Sequence, residues 1–306
     1  MTPTVVAIFG PTASGKTAAA VALAGRIGGE IVSADSMQVY AGLARITNQP
    51  SAEERAGVPH HLLGHVDPHD DYDVVRYASD AHDAIDGALA RTGTAIVVGG
   101  SGLYLRAALG RIAFPPRVPD AERERVRALV AELGTEDAHA ELQRVDPAAA
   151  ARIAPADARR IVRALELAAV GASLAPDAED ALWSEAVRHP TRLFGLAVDR
   201  SAVRARIDAR TPRLLDDGGI DEVRALLDDP RPLSGTASRA HGVDDVRALL
   251  AREIDRGECE RRLSARTRQY AKRQDTWLRR LRQAELVRAD DAPATVARAI
   301  AERLGR

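Results

Sequence analysis

Eight consecutive residues, Gly10, Pro11, Thr12, Ala13, Ser14, Gly15, Lys16 and Thr17, spell G-x-x-x-x-G-K-[ST]. Glycines at both ends let the backbone turn its N–H groups inward around phosphate oxygens, Lys16 adds a full positive charge, and the Thr17 hydroxyl suits Mg²⁺. The alternative is a glycine turn that caps a helix, with Lys16 merely solvated. Two more residues have usable chemistry. Asp35, in Ser33-Ala34-Asp35-Ser36-Met37-Gln38, either faces the reacting end of a bound phosphate or caps a helix over Ser36 to Tyr40. Ser101, in Gly99-Gly100-Ser101-Gly102, either donates to a phosphate oxygen or caps the helix that starts near Leu103. Only two lysines occur among 43 Lys and Arg residues, Lys16 and Lys272, so lysine persists where a compact ammonium is useful.

These residues share a place if the elements around them are right. The apolar run Val5 to Phe9 precedes the first glycine loop, and an Ala-rich helical segment, Thr17 to Arg26, follows it. Glu30 to Ala34 and Thr94 to Val98 read as further buried strands, each ending at one of the other candidates. In a parallel sheet the strand C-termini collect on one edge, so the loop, Asp35 and Ser101 are expected together there. Between them, Thr47 to Asp73 reads as a loop with Pro50, Pro59 and Pro68, and Asp71 to Leu89 as an amphipathic helix. The loop's histidines, His60, His61, His65 and His69, are expected to be structural or to touch substrate rather than bind zinc, because no cysteine joins them and Gly64 and Pro68 break the helical spacing.

Composition narrows the class. The 306 residues are 45% hydrophobic but only 3% aromatic, so the core must be built of Ala, Val, Leu and Ile. The single cysteine, Cys259, excludes an internal disulfide and a Cys-based zinc site. No stretch approaches the length of a membrane span and no signal-like segment opens the chain, which suggests a cytoplasmic protein with no membrane partner. Net charge is −1, yet nine basic residues lie between Arg261 and Arg282 against the one acid Asp275, a local concentration suited to nucleic acid.

Pro115, Pro116 and Pro119 mark a boundary, after which Asp120 to about Val187 is almost wholly helical in pattern. Asp146-Pro147 opens one helix there, and Ala156 to Val170 forms another with Arg159, Arg160 and Arg163 on one side. That arginine cluster is either a solvated face paired with acids or a substrate surface. The sheet resumes at Leu193 to Val198, followed by helices at Ser201 to Leu215, Gly219 to Leu227, Gly242 to Ala251 and Cys259 to Leu281, and a last strand at Glu285 to Ala289.

Taken in order, GPTASGKT, SADSMQVY, PHHLLGHVDP, VGGSGLYLRA, DPAAAARI, RRIVRALE, RARIDAR and TRQYAKRQDTW resemble the bacterial tRNA dimethylallyltransferases, also called tRNA isopentenyl transferases. The matches run from residue 10 to residue 277, nearly the whole chain. The resemblance implies an α/β fold: a P-loop NTPase-like core with a parallel sheet flanked by helices, over 1–115 and 190–306, plus a mainly helical insertion at 116–189 that contacts tRNA. It implies transfer of a dimethylallyl group from dimethylallyl diphosphate to N6 of the adenosine 3′ of the anticodon, with Mg²⁺ at Thr17 and Gly10 to Thr17 holding the diphosphate in a loop that otherwise reads as an ATP site. Asp35 looks like the general base, Ser101 stands where the family usually has threonine, and Arg210 of RARIDAR looks like a diphosphate contact.

For the anticodon stem-loop, the resemblance points to Asp35, Ser36, Met37 and Gln38, and to Arg159, Arg160, Ile161, Val162 and Arg163. It also points to Arg239, Ala240, His241, Gly242, Val243 and Asp244, and to Thr267, Arg268, Gln269, Tyr270, Ala271, Lys272, Arg273 and Gln274. Two departures stand out: Ile46 to Pro50 reads ITNQP in place of the usual IGTAKP, and His241-Gly242-Val243 replaces the usual IGY. A monomer is expected. Without the later motifs the loop alone would also fit a small-molecule kinase, and a prenyl transferase acting on free adenine nucleotide is the nearer alternative. The helical insertion and the basic run weigh against both, because a small acceptor needs no such surface.

Overall fold

Short runs of Val, Ile, Ala and Phe form strands here because they are buried on both faces, as the strands of a parallel sheet between helices must be. The computed structural model describes residues 4–112, 114–174, 187–290 and 292–306. Its strands are β1 (Thr4–Phe9), β2 (Glu30–Ser33), β3 (His60–His61), β4 (Thr94–Gly99), β5 (Thr191–Ala197) and β6 (Glu285–Arg288). They form one sheet in the order β3-β2-β4-β1-β5-β6, with every neighbouring pair parallel. The chain divides into two compact units, Met1–Arg111 with Ala186–Arg306, and Ile112–Glu185.

In the first unit, α1 (Lys16–Ile27), α2 (Ala52–Arg55), α3 (Val74–Thr92) and α4 (Gly102–Leu109) alternate with the early strands. The second unit holds α5 (Asp120–Val145), α6 (Pro147–Ala150) and α7 (Ala158–Ala168), after which the first unit resumes with α8 (Arg200–Leu214), α9 (Ile220–Asp228), α10 (Val243–Leu250), α11 (Arg256–Arg280) and α12 (Pro293–Arg303). On one sheet face Val6, Ile8, Ile96, Val98, Phe194 and Leu196 pack against Ala20, Leu23 and Ala24 of α1 and Val296, Ala297 and Ile300 of α12. Alanine on both helices lets them lie close to the sheet, which is how a chain poor in aromatics fills this layer. The other face is covered by α3 and α4, where Tyr77 and Tyr104 stack with ring centroids 4.2 Å apart. Tyr77 also donates to the Ser33 carbonyl at 2.9 Å, fixing the end of β2.

The far end of β2 is fixed by charge. Glu30 is buried and accepts from Arg91 Nε at 2.8 Å and Nη2 at 2.6 Å, with His61 Nε2 at 2.6 Å. The Arg91 guanidinium, with His61 adding to it, holds the Glu30 carboxyl at about 2 against the opposing effect of burial. This pairing ties the two-residue strand β3 to its neighbour.

In the second unit, Val126, Ala138, Leu142, Ala149, Ala150, Ile153, Ile161, Ala164 and Leu165 form a separate core. Asp146 caps α6 through the Ala149 N–H at 3.0 Å. α5 is interrupted at Gly134, whose φ of 77° and ψ of 172° no helical residue adopts. Part of the helical run expected up to Val187 lies outside the described residues.

Two local expectations need correction. Ser36 to Tyr40 is not a helix but a turn, in which Asp35 Oδ1 accepts the Met37 N–H at 3.0 Å. The stretch read as a continuous loop from Thr47 to Asp73 holds α2 and β3. α2 is one turn closed by a capping box: Glu54 N–H to Ser51 Oγ at 3.2 Å, and Ser51 N–H to Glu54 Oε2 at 2.8 Å. No helix among the described residues is long and apolar enough to cross a membrane.

Candidate active site

Register brings the three sequence candidates to one edge of the sheet. Phe9 pairs with Gly99 across β1 and β4, and Ser33 pairs with Val98 across β2 and β4, so the loops after β1, β2 and β4 leave side by side. They are also joined beyond the strands. Gly10 N–H donates to Gly99 O at 3.4 Å, Ala34 N–H to Val98 O at 2.8 Å, and Ser101 N–H to Ala34 O at 3.4 Å. A Cβ at Gly99 would lie 2.0 Å from the Ala34 carbonyl oxygen, so only glycine permits this approach.

The loop itself is a turn with two left-handed residues, Ala13 at φ 62° and Gly15 at φ 81°. Gly15 is the N-cap of α1 and offers no side chain, so the first N–H groups of α1 remain uncapped at the positive end of the helix. A cavity of about 440 Å³ opens beside it. Its walls include Thr12 to Thr17 of the loop, Asp35, Met37 and Gln38 after β2, Ile46 to Asn48, Arg206, Arg210 and Leu214 of α8, His241, and Leu263, Thr267 and Tyr270 of α11. Asp35, Lys16, Thr17 and Arg210 thus share one cavity. Ser101 is not among its lining residues; it stands at the N-terminus of α4 and makes no side-chain cap bond there.

The chemistry of the cavity is that of an anion site. Burial lowers the Lys16 ammonium to about 8; Asp35 acts against that shift and Arg210 adds to it. Burial also pushes the Arg210 guanidinium below its usual value. Arg210 Nη2 donates to Thr12 Oγ1 at 3.0 Å, and Arg206 Nη1 donates to the Ala13 carbonyl at 3.2 Å. On the cavity wall, Ser14 Oγ and Arg210 Nε are buried without a hydrogen-bond partner. Both can donate, and buried donors left unpaired are costly unless a ligand with acceptor oxygens completes them. Apolar Met37, Ile46, Leu214 and Leu263 supply wall for a nonpolar group beside that anion.

Arg206 was not among the sequence candidates. Its signal was the spacing Arg206 to Arg210, four residues apart and hence on one helix face. His241 and Tyr270 meet edge to face at 4.8 Å on the same wall, and burial holds the His241 imidazole below its ordinary value. Gln38 is partly committed, since Nε2 donates to Asn48 O at 2.7 Å and Thr47 O at 3.3 Å. It thereby holds the ITNQP segment, in which Asn48 takes the left-handed φ of 55° that asparagine tolerates.

The residues expected to contact tRNA divide by exposure. Arg239, Asp244, Gln269, Lys272 and Arg273 are exposed, while Ser36, Thr267 and Arg268 are half-buried. Ala240, Gly242, Val243, Ala271 and Gln274 are buried, and so is Ile161 in the second unit, with Val162 packed beside it. Burial of these positions gives them a structural part: they seat in the core the segments whose charged positions are exposed. On α7, Arg160 pairs with Asp157 at 3.6 Å and Arg163 with Glu166 at 3.2 Å, whereas Arg159 has no ion-pair partner among the described residues. The basic run on α11 is also partly neutralised, by acids distant in sequence: Arg266 meets Asp245 at 3.3 Å, and Arg268 meets Asp208. Arg261 and Arg262 both pair with Glu258, and Arg279 with Asp275. Lys272, Arg273, Arg280 and Arg282 have no ion-pair partner among the described residues, and Arg273 lies 5.6 Å over the Tyr270 ring. Of the histidines, His61 serves Glu30, and His69 Nδ1 lies 3.0 Å from the Pro232 carbonyl oxygen. Among the described residues no cluster of three His, Cys, Asp or Glu side chains could hold a metal ion by itself.

Comparison with known proteins gives a consistent result. The family model described as IPP transferase matches residues 38–281, and that described as isopentenyl transferase matches residues 3–67. A tRNA dimethylallyltransferase of Methylobacterium nodulans is 44% identical over 286 residues, covering 90% of this chain and 91% of its own. Among solved structures, the full-length tRNA isopentenylpyrophosphate transferase of Bacillus halodurans superposes with a TM-score of 0.70 at 32% identity, over 99% of this chain and 97% of that one. A eukaryotic dimethylallyltransferase acting on tRNA superposes with a TM-score of 0.77 at 25% identity, over 98% and 78% of the two chains.

Proposed function

The chain belongs to the IPP transferase family, and from that premise we propose that it transfers a dimethylallyl group from dimethylallyl diphosphate to N6 of the adenosine 3′ of the anticodon in tRNA. One observation carries the reading at the level of the site: a carboxylate, Asp35, shares a single cavity with a donor-rich anion cradle of Lys16, Arg210 and the loop amides. An adenine N6 amine is a weak nucleophile because its lone pair is delocalised into the ring, so a base within hydrogen-bond reach must take its proton as the new bond forms. Asp35 is that base. The leaving diphosphate gathers charge as the allylic C–O bond breaks, and Lys16, Arg206, Arg210 and the N-terminus of α1 meet it. Ser101, outside the lining, sits behind Asp35 through its N–H to Ala34 O and holds the loop after β2.

Mg²⁺ fits the residues present. It keeps several waters and takes one or two protein ligands with substrate phosphate oxygens, so the Thr17 hydroxyl on the cavity wall suffices as the protein's contribution. When bound there, Mg²⁺ neutralises diphosphate charge. The insertion helices, with Arg159 exposed, and the unpaired cations of α11 are surfaces for the anticodon stem-loop. Unstacking the target base costs a few kcal/mol, least in a loop, and phosphate contacts offset it.

Incubation with labelled dimethylallyl diphosphate, Mg²⁺ and either an anticodon stem-loop, AMP or ATP tests the assignment. Label is expected in the stem-loop alone; label in AMP or ATP would make the protein a transferase of free nucleotides.

Two solution properties follow from the charges. Lys16 is an ammonium below about pH 8 and neutral above it. Affinity for dimethylallyl diphosphate should therefore fall by about twofold from pH 7 to 8, by about fivefold from pH 8 to 9, and approach tenfold per unit beyond, as one proton becomes necessary for binding. Titration calorimetry at pH 7, 8 and 9 checks this, and Lys16→Met should bind weakly with no such slope. For the stem-loop, four unpaired cations on and just after α11 predict that log K falls with log salt at a slope of about −3. A filter-binding series in KCl measures it; a flat response would mean that this face is not the docking surface.

A further inference from the structure

The motif on α11 places Gln274 among residues expected to touch tRNA, yet its side chain turns inward and is 2% exposed. Its Oε1 accepts the Thr12 N–H at 2.7 Å, a contact spanning 262 residues of chain. Because the partner is a donor, the orientation of the amide is set: the oxygen faces the phosphate loop and Nε2 lies opposite, buried and turned toward the Tyr270 hydroxyl. The space around it is full. A Cβ at Gly100 would lie 2.0 Å from Gln274 Nε2, and a Cβ at Gly102 would lie 2.2 Å from the Trp277 ring. Gln274 and Trp277, three residues apart on one helix face, therefore seat α11 against the loop after β4 while Gln274 reaches the loop after β1. Thr12 is held at a second point, since its Oγ1 accepts from Arg210.

Accepting the assignment of the diphosphate to this loop, we propose that Gln274 is a positioning residue for the diphosphate cradle and not a tRNA contact. The loop carries a left-handed alanine, Ala13 at φ 62°, just after Thr12. A loop of that shape has to be held, because each freely varying backbone torsion must be frozen again when the anion binds. Gln274 does this by fixing the Thr12 N–H, so that the N–H groups after it converge where the diphosphate sits. It is also the one residue of the Thr267 to Gln274 segment with a hydrogen bond to the phosphate loop among the described residues. The helix with the exposed basic face thus sets affinity for the other substrate.

Gln274→Met keeps the length and removes the acceptor. Unpairing the buried N–H should weaken dimethylallyl diphosphate binding by roughly tenfold to a hundredfold. Calorimetry should show this loss, and the KM for dimethylallyl diphosphate should rise with it, while the KM for an anticodon stem-loop stays within about twofold. Gly100→Ala pushes the same amide aside without altering the outer face of α11, and the same split is expected. A raised stem-loop KM with unchanged donor affinity would overturn the proposal, as would equal losses for both substrates. If wild-type protein binds no dimethylallyl diphosphate, the site assignment fails and this proposal with it; if wild type binds and both variants bind equally well, only the proposal fails. Should Gln274→Met not fold, Gly100→Ala carries the comparison. Amide hydrogen exchange on the unaltered protein adds a further check: Thr12 N–H is expected to be protected, and free exchange there would count against the proposal.

Discussion

Asp35→Asn is expected to lower the rate of prenyl transfer by about 10² to 10⁴-fold, the range typical for loss of a positioned general base. The substitution isolates proton transfer from folding. Asparagine keeps the Oδ1 that accepts the Met37 N–H, so the turn after β2 should survive. Donor binding should be unchanged or slightly tighter, because one negative charge near the diphosphate is gone. Single-turnover transfer from labelled dimethylallyl diphosphate to a stem-loop separates the steps. A rate within a few-fold of wild type would remove Asp35 from the chemistry and leave it as a turn residue.

The second large effect concerns the leaving group. Arg210→Ala should cost about 2.7 to 4 kcal/mol in the barrier, or 10² to 10³ in turnover, as loss of one preorganised donor at a developing charge does. Arg210→Lys restores charge without the planar fork and should recover only part of the rate. The free protein should be no less stable to heat after Arg210→Ala. The guanidinium is buried with one nitrogen unpartnered, and no carboxylate pairs with it among the described residues. A desolvated charge of this kind serves a ligand and not the fold. Near-normal turnover with a marked loss of thermal stability would reverse that assignment.

The central sheet was legible because its strands are short, buried, and bounded by glycine or polar residues; Val5 to Phe9 and Thr94 to Val98 needed no other cue. Placement of the site was legible for the same reason, since parallel strands bring their C-terminal ends to one edge. β3 was not, because two residues, His60 and His61, carry no periodicity, and their pairing depends on Glu30 and Arg91. Ser36 to Tyr40 had the composition of a capped helix, but the chain turns there to bridge Tyr40 to Val66. The count of nine basic residues overstated the free charge of α11, because Asp208 and Asp245, which neutralise Arg268 and Arg266, come from other helices. A window along the sequence contains no information about partners so far away. Gln274 shows the same limit from the other side. Its neighbours Lys272 and Arg273 are exposed, and only the packing of α11 on two glycine loops turns Gln274 inward.

The near absence of lysine has a practical use. Lys16 lies in the cradle and Lys272 lies exposed on α11. Reductive methylation with ¹³C-formaldehyde keeps the charge on each amine and would label two side chains, one at each substrate's expected position. Their resonances would report separately on donor and stem-loop occupancy, so the order in which the two substrates bind could be followed by NMR without introducing a single substitution.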